Sequence, residues 1–417
     1  MINRIKFFKP SFFTYILLLF GVIVNAQQKD SISSRVQVIH ADVLRFERIG
    51  GRELQYLSKD VLVRHRASYL LCDSAIIDSN KVTAMGHVRI LEGDSLQLYA
   101  DSLFYDGDQR MANLKGKVVL KHKDQQLFTE SMQYDLNTRI SKYLQGGVMF
   151  SEQAKLRSSR GYYDAKTGEA FFKDSVVVLL KDSMSLIADT LLYQTRERKV
   201  IFIGPSLIKQ DSLKIYTDEG YYLIEEQKSY FGNSPRYTRG SQKADAKIIY
   251  HDALRKKITL VGHASIKDDQ QEAKADSIVF NESNGDVLLF GNAYYQEGER
   301  ILEGQNIEYN RFSKSLQVQG NPRVLEAGRM IQSARLKYDG KTDIGTASGA
   351  VVVTDTTEGY TIVSDSFSYS KTKKCFPLLV GTGDLISSYC LTEIHYISQQ
   401  TVFFQKISNK KMIAFKR

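Results

Sequence analysis

One short sequence pattern recurs along most of this 417-residue chain, with a period of about 29 residues. Its clearest copies are residues 100–105 (ADSLFY) with Gly116, residues 188–193 (ADTLLY) with Gly204, and residues 275–280 (ADSIVF) with Gly291. Weaker copies continue the series, so that its aspartate position falls at Asp42, Asp73, Asp101, Glu130, Ser159, Asp189, Asp218, Asp245, Asp276, Gln305, Ala334 and Asp365. So regular a series predicts one elongated repeat domain in place of the two or three globular domains that the length alone would allow.

Each copy contains the alternation typical of a β-strand whose two faces meet different surroundings. Residues two and four positions after the aspartate are apolar, as at Leu103 and Tyr105, whereas the residue between them varies and is charged in some copies. A turn rich in Asp, Asn and Gly follows, and a second strand leads from it to the glycine and beyond. Glycine at a strand corner permits a bend or bulge that a side chain would resist.

Helix signals are nearly absent, and no single copy can bury its apolar face alone, so the copies must stack. We therefore predict an all-β repeat solenoid of about twelve units, a sheet folded over on itself. If each unit adds one strand to each wall, the body would be on the order of 55–60 Å long. The residues predicted to face inward are Leu103, Tyr105, Leu114, Leu191, Tyr193, Phe202, Ile278, Phe280, Leu289, Ile307, Tyr309, Val318, Leu336 and Tyr338.

The apolar stripe has two interpretations. It forms either a closed core or the lining of a groove between two walls that stay slightly apart, and composition does not decide between them. A stacked sheet also has two open ends with unpaired backbone groups, which favour end-to-end pairing with another copy or with a partner of the same build.

The recurring aspartate is better explained by structure than by catalysis. An enzyme does not need its acid copied along a stack, so we predict that the aspartate shapes the corner by bonding local backbone N–H groups. His87 and His263 directly follow corner glycines and are also repeat positions. The sequence has no phosphate-binding loop, no nucleophile elbow and no zinc-protease motif, and its three cysteines form no metal-binding pattern. We therefore predict no catalytic residue, no metal site and no cofactor.

The N-terminus has the three parts of a secretory signal peptide. Residues 1–26 contain Arg4, Lys6 and Lys9, then an apolar run, then small or short residues before Gln27. The run of about 13 residues is short for a membrane span, although an uncleaved anchor is the alternative. The net charge of +10 is concentrated at the two ends, with +3 in residues 1–26 and +6 in residues 371–417. The nearly neutral body argues against a nucleic-acid partner.

A resemblance to a known family rests on the later repeats. Residues 289–297 (LFGNAYYQE) and 302–310 (LEGQNIEYN) resemble the OstA family, which includes the lipopolysaccharide-transport protein LptA and the periplasmic domain of LptD. The shared pattern is G-N-[AV], a strand, a short gap, and then G/A-D-x-[IL]-x-[YF], and here it extends over residues 42–381. Gln305 stands at the aspartate position of the second segment.

The resemblance implies a non-enzymatic periplasmic carrier or bridge for lipopolysaccharide in outer-membrane biogenesis. Its fold would be an open β-jellyroll, and the fourteen inward residues would line a groove that shields the acyl chains of lipid A. The implied partners are lipopolysaccharide, other transport components at the inner and outer membranes, and further copies joined head to tail. The implied location is the periplasm, with an association with the outer membrane.

The chain departs from the family pattern in two ways. About twelve repeats exceed what a compact family member would contain. Residues 27–381 form the predicted repeat domain, whereas residues 382–417 lose the pattern and form a basic tail, interpreted as a cap, a membrane-surface segment or sequence outside the ancestral fold. Two other functions stay open: a structural or adhesive solenoid that binds protein or glycan through outward residues such as Phe104 and Tyr162, and a polysaccharide-degrading β-solenoid.

Overall fold

The computed structural model of the protein describes residues 34–93, 95–181, 184–357, 359–370, 375–379, 386–390 and 403–406. The predicted signal peptide, residues 1–26, lies outside these residues, as does most of the predicted tail, residues 382–417. Two short strands lie within that tail and extend the sheet, β32 and β33. Among the described residues no helix is long and apolar enough to cross a membrane.

The described chain forms 33 strands in one antiparallel sheet, which confirms the all-β prediction. The first eleven are β1 (Gln37–His40), β2 (Val43–Ile49), β3 (Arg52–His65), β4 (Ser68–Asp78), β5 (Lys81–Glu92), β6 (Leu96–Asp106), β7 (Met111–His122), β8 (Gln125–Asp135), β9 (Ile140–Tyr143), β10 (Gly147–Phe150) and β11 (Ala154–Ser158). The next eleven are β12 (Arg160–Asp164), β13 (Glu169–Leu180), β14 (Ser185–Gln194), β15 (Lys199–Gln210), β16 (Leu213–Leu223), β17 (Lys228–Gly232), β18 (Arg236–Arg239), β19 (Gln242–Asp245), β20 (Ile248–Asp252), β21 (Lys257–Lys267) and β22 (Gln271–Asn281). The last eleven are β23 (Asp286–Glu297), β24 (Arg300–Asn310), β25 (Ser315–Gln319), β26 (Arg323–Glu326), β27 (Arg329–Gln332), β28 (Arg335–Asp339), β29 (Ile344–Asp355), β30 (Tyr360–Ser370), β31 (Cys375–Leu379), β32 (Ile386–Cys390) and β33 (Phe403–Lys406). The number of repeats stays a prediction.

Long strands bend in the middle, so that one strand contributes to both walls of the folded sheet. β6 and β7 illustrate this, because the β6–β7 pairing shifts register between Tyr99 and Ser102 and the β7–β8 pairing shifts between Lys115 and Val118. We call the half that contains residues 102–106 and 111–115 the first wall, and the half that contains residues 96–100 and 118–122 the second wall. The bend between the walls is the corner. The opposite margin, where the hairpin turns of both walls lie, is the mouth.

Two features of the corner at position 116 favour glycine there. Gly116 has a φ of +77°, a conformation that side-chain-bearing residues rarely adopt. A Cβ atom at Gly116 would also lie 2.5 Å from a carboxylate oxygen of Asp101, the recurring aspartate of the same repeat. The aspartate orders the corner through side chains as well, since the Asp73 carboxylate lies 2.8 Å from His87 Nδ1. Its structural role is therefore a contact with the corner glycine and the residue after it.

The turns of the first wall are held by their own aspartates. Asp106 Oδ1 accepts hydrogen bonds from the backbone N–H groups of Asp108 and Gln109, at 3.0 and 3.1 Å. Successive turns also stack on one another, because the Leu136 N–H donates to the Arg110 carbonyl at 3.0 Å. These bonds keep the turns of the first wall regularly spaced along the mouth.

The core extends along the space between the two walls and is continuous from β3 into the later repeats. At the N-terminal end, β1 and β2 each pair with β3, and among the described residues their other edges have no strand partner. Phe46 and Ile49 of β2 are 56% and 51% exposed, so this end presents apolar side chains beside an open strand edge.

Candidate functional site

The fourteen residues predicted to face inward all lie on the first wall. Twelve of them are buried, with side chains between 0% and 8% exposed: Leu103, Tyr105, Leu114, Leu191, Tyr193, Phe202, Ile278, Phe280, Leu289, Ile307, Val318 and Leu336. The other two, Tyr309 and Tyr338, are half-buried. The structure therefore places the whole set on one inner surface.

The facing surface belongs to the second wall and was missing from the predicted set. It consists largely of the residues two and four positions after the corner glycine, such as Val118 and Leu120, which are fully buried. Val176, Val178 and Ile208 occupy equivalent places and are at most 1% exposed. The apolar run after each glycine was the sequence signal for these second-wall residues. Only the folding of the sheet shows that this run faces the apolar run of the first wall.

Large and small side chains alternate along the inner row nearest the mouth. Successive residues of this row are cross-strand neighbours, in the order Tyr105, Ala112, Tyr134, Ser141, Tyr163, Ala170, Tyr193 and Val200. The tyrosine comes from the first strand of each repeat and the small residue from the second. Such alternation lets neighbouring rings pack without voids at the strand spacing. The tyrosines thereby form a regular series along the mouth.

Four of these tyrosines bond across the mouth to polar residues of the second wall. Three partners, His65, Glu92 and His122, are the last residues of their strands. The bonds are Tyr105 Oη to His65 Nδ1 at 2.6 Å, Tyr134 Oη to Glu92 Oε2 at 2.7 Å, Tyr163 Oη to His122 Nδ1 at 2.7 Å, and Tyr193 Oη to Ser151 Oγ at 3.4 Å. We call these bonds the mouth latches. They join the two walls at this margin, together with ion pairs such as Arg198–Glu152.

The first latch fixes the tautomer of its histidine. His65 Nε2 lies 3.0 Å from the Ser34 carbonyl, which can only accept, so Nε2 carries the proton and Nδ1 accepts from the Tyr105 hydroxyl. Burial lowers the pKa of His65 and of His122 below the ordinary histidine value. Both rings are therefore neutral near pH 7, and protonation would remove the acceptor that each tyrosine uses.

The second latch holds a buried charge. Glu92 is 6% exposed and accepts from two groups, the Tyr134 hydroxyl and Arg139 Nε at 3.1 Å. Burial, followed by the nearby Glu92 carboxylate, raises the pKa of Tyr134, so that this hydroxyl stays protonated and donates. A buried carboxylate is tolerated only when its oxygens are bonded in this way.

The interior is tightly packed near the first latch and looser toward the C-terminal end. A cavity of about 20 Å³ lies between the walls beside His65 and Tyr105, which is room for one water and not for an acyl chain. In the later repeats, inward residues such as Val287, Leu316 and Ile331 are only partly buried. The apolar interior is therefore more accessible in these repeats than beside the first latch.

Two buried tyrosine hydroxyls of the second wall have no hydrogen-bond partner among the described residues, Tyr237 and Tyr295. The Tyr295 ring contacts the Tyr309 ring of the first wall, with ring centroids 5.9 Å apart. These hydroxyls place unused donors inside an otherwise apolar interior, where a ligand carbonyl or hydroxyl could accept from them.

The described residues do not bring together three side chains that could hold a metal ion. The buried Cys72 is packed in the core, and burial raises the pKa of its thiol to about 11, so it is not a nucleophile near neutral pH. What the interior offers is apolar surface with polar groups at its margin.

Two protein-family models match the chain. The model of the OstA-like proteins matches residues 33–189, and the model of the LptA/(LptD N-terminal domain) LPS transport proteins matches residues 155–315. No curated protein matches the chain. Among matching solved structures is LptH from Pseudomonas aeruginosa, described as the LptA homologous periplasmic component of the lipopolysaccharide transport device. It is 15% identical, the match covers 26% of this chain and 82% of that chain, and the TM-score is 0.24.

The two family matches overlap and together extend from residue 33 to residue 315, which is more than half of the chain. They confirm the resemblance drawn from the repeats, and they agree with the all-β architecture of the described residues. The OstA- and LptA-like proteins of lipopolysaccharide transport are carriers and bridges without enzymatic activity. Residues 33–315 of the chain are therefore similar to the OstA-like and LptA/(LptD N-terminal domain) proteins of lipopolysaccharide transport.

Proposed function

We propose that this protein carries lipopolysaccharide through the periplasm and shields the acyl chains of lipid A between its two walls. The observation that supports this most directly is the continuous apolar interior, which presents similar side chains in every repeat of the described body. Equivalent positions along a row give a cargo many sites of similar affinity, so it moves along them without chemistry. Any energy input comes from a partner.

Entry of an acyl chain requires the walls to separate, since the interior near the first latches is packed. The walls are joined covalently at the corner and by side chains at the mouth, so opening the mouth leaves every backbone ladder intact. A neutral hydrogen bond contributes about 0.5–1.5 kcal/mol. A chain of about a dozen CH₂ groups gains about 10 kcal/mol on leaving water, at about 0.8 kcal/mol per CH₂. The chain can therefore replace wall-to-wall contacts and offset several latches.

The looser C-terminal repeats are the proposed place where cargo enters or leaves. Several of their inward side chains, such as Val287, Leu316 and Ile331, are only partly buried, so fewer wall-to-wall contacts must be lost there. The unpartnered Tyr295 hydroxyl lies in the same region and supplies a donor for an ester or amide carbonyl of the lipid.

The open edges of β1 and β2 support an association with another strand edge at the N-terminal end. In the proposed function the partner's strand edge belongs to another copy of this protein or to a transport component at the inner or outer membrane. The same proposal includes two further points. Residues 1–26 are removed as a signal peptide, and residues 27–381 form the carrier domain.

A photo-crosslinking amino acid at adjacent positions tests the interior path. Tyr309 faces inward and its neighbour Glu308 is exposed on the outer face, so the two variants differ only in the side of the wall. After irradiation in the native periplasm, lipopolysaccharide should be attached at position 309 and not at position 308. Equal crosslinking at the two positions, or crosslinking only at 308, would refute an interior path.

The alternative function, a binder of protein or glycan on its outer face, has one supporting observation. Phe104 and Tyr162 are 43% and 39% exposed on the outer face of the first wall. Tyr221, Tyr230 and Tyr250 continue the same row with ring centroids 5.4 and 5.5 Å apart. Crosslinks from Tyr162 to a defined protein or glycan, without lipid at position 309, would favour this function.

A further inference from the structure

The outer face of the second wall carries two continuous rows of side chains from β3 to β21. The row nearer the corner is Leu62, Leu71, Arg89, Tyr99, Val119, Phe128, Val148, Arg157, Val177, Ile187, Leu207, Tyr216, Arg236, Asp245 and Ser265. The row nearer the mouth is Arg64, Tyr69, Leu91, Gln97, Lys121, Gln126, Phe150, Lys155, Leu179, Ser185, Lys209, Lys214, Thr238, Lys243 and Lys267. Together they contain ten bases and one acid, Asp245.

The outer face of the first wall has no such imbalance. Its mid-wall and mouth-side rows over the same span, β3 to β21, contain five bases and six acids. The bases are Lys81, Lys142, Lys199, Lys228 and Lys257, and the acids are Asp78, Asp106, Asp135, Asp164, Glu169 and Asp252. The body of the protein is nearly neutral, yet these rows of its two outer faces differ by about ten charges.

The bases of these two rows are not neutralised by carboxylates of the same molecule. None of the ten takes part in an ion pair among the described residues. Several lie over exposed or half-exposed rings instead, as Lys155 does over Phe150 at 5.2 Å and Lys121 over Tyr99 at 5.3 Å. The charged groups and the aromatic rings therefore lie next to each other on the surface, so one partner can contact both.

The bases are densest on five strands, β15, β16, β18, β19 and β21. They are Lys209, Lys214, Arg236, Lys243 and Lys267, and we call them the basic cluster. Five neighbouring strands span about 20 Å, a length over which the twist of a sheet still allows contact with a flat surface. Asp245 lies within the cluster, which keeps a clear excess of positive charge.

Exposed apolar side chains border the basic cluster on the strands before it and within it. Leu179 and Tyr216 are each 48% exposed, and Ile187 is 43% exposed. Side chains of this size at a solvent-facing position are typical of a surface that meets an apolar layer. Bases beside exposed Leu, Ile and Tyr form the combination that binds the boundary between lipid headgroups and acyl chains.

We propose that the basic cluster docks the protein on the surface of an anionic phospholipid bilayer. Lysines contact the headgroup phosphates, and Leu179, Ile187 and Tyr216 enter the boundary beneath them. A soluble polyanion would be attracted by the same charges but would gain nothing from the three apolar side chains. The docking holds the second wall against a membrane and leaves the mouth and the first wall free.

Vesicle co-sedimentation tests the proposal with the chain that begins at residue 27. The vesicles contain phosphatidylcholine alone or with roughly a third phosphatidylglycerol. The test variant is K209Q/K214Q/K243Q/K267Q, and the control K142Q/K199Q/K228Q/K257Q removes the same charge from the first wall. A lysine near an anionic surface contributes about fivefold to binding, so loss of four lysines should weaken binding of the test variant by about 600-fold, whereas the control should bind nearly normally.

A second variant separates a membrane from other anionic partners. Replacing the apolar group, as L179S/I187S, should weaken vesicle binding while leaving binding to soluble heparin unchanged. Equal losses in the two lysine variants would refute a specific face. Heparin binding without vesicle binding, or no preference for phosphatidylglycerol, would refute the membrane as partner. Circular dichroism of each variant confirms that the sheet is retained.

Discussion

Removing one hydroxyl from the second mouth latch should weaken the closed state measurably. In Tyr134→Phe the ring stays in place, but Glu92 Oε2 loses a donor at 2.7 Å. Tyr134 is 0% exposed and Glu92 6% exposed, so water does not readily replace that donor. A hydrogen bond to a charged group contributes about 1.5–3 kcal/mol, and we expect the free energy of unfolding to fall by that amount.

The matched control is Tyr143→Phe. The Tyr143 hydroxyl also lies 2.7 Å from its partner and is equally buried, but the partner is the neutral Ser158 hydroxyl. Its loss should cost about 0.5–1.5 kcal/mol. Urea unfolding followed by circular dichroism measures both, and a double-mutant cycle with Glu92→Gln isolates the pair. If Tyr134→Phe costs no more than Tyr143→Phe, or if the cycle is additive, the charged latch does not hold the mouth.

Two further predictions follow from the corner and from the histidine latches. Gly116→Ala should destabilise the protein more than Gly204→Ala, because a Cβ at Gly116 meets the Asp101 carboxylate whereas a Cβ at Gly204 meets nothing within 4 Å. Both have positive φ, so each incurs about 1 kcal/mol of backbone strain, and urea midpoints that coincide would contradict the steric contribution. Because burial lowers the pKa of His65 and His122 in the folded state, the unfolded chain binds more protons below about pH 6.5. Stability should therefore be full above that pH and fall as the pH drops toward the lowered folded values, and a His65→Gln/His122→Gln variant whose midpoint varies with pH as steeply as the parent's would refute this.

Much of the interior could be predicted because apolar and other residues alternate in the same way within each half of a strand. Leu103 and Phe202 are found from the alternation after the aspartate and before the glycine, and both are buried. The second wall was harder, since the register shifts at the corner and the alternation changes phase there, as between Ala100 and Leu103. A count that begins at the aspartate therefore finds the first wall alone.

The latches and the basic face could not be found in the sequence, because neither is local. His65 and Tyr105 are 40 residues apart and belong to different repeats, and the second-wall partner changes from His to Glu to Ser along the series. The ten bases are scattered over more than 200 residues, among acids that the fold places elsewhere. Only strand pairing shows which of them share a face.

The sequence by itself determined the strands, the stacked repeats and the positions of the corner glycines, because these depend on residue spacing and on backbone conformations that few residues adopt. The tertiary structure decided which surfaces meet and which remain in solvent. That choice depends on how the sheet folds at the corner and which second-wall group each mouth tyrosine reaches, and neither follows from the spacing within one repeat.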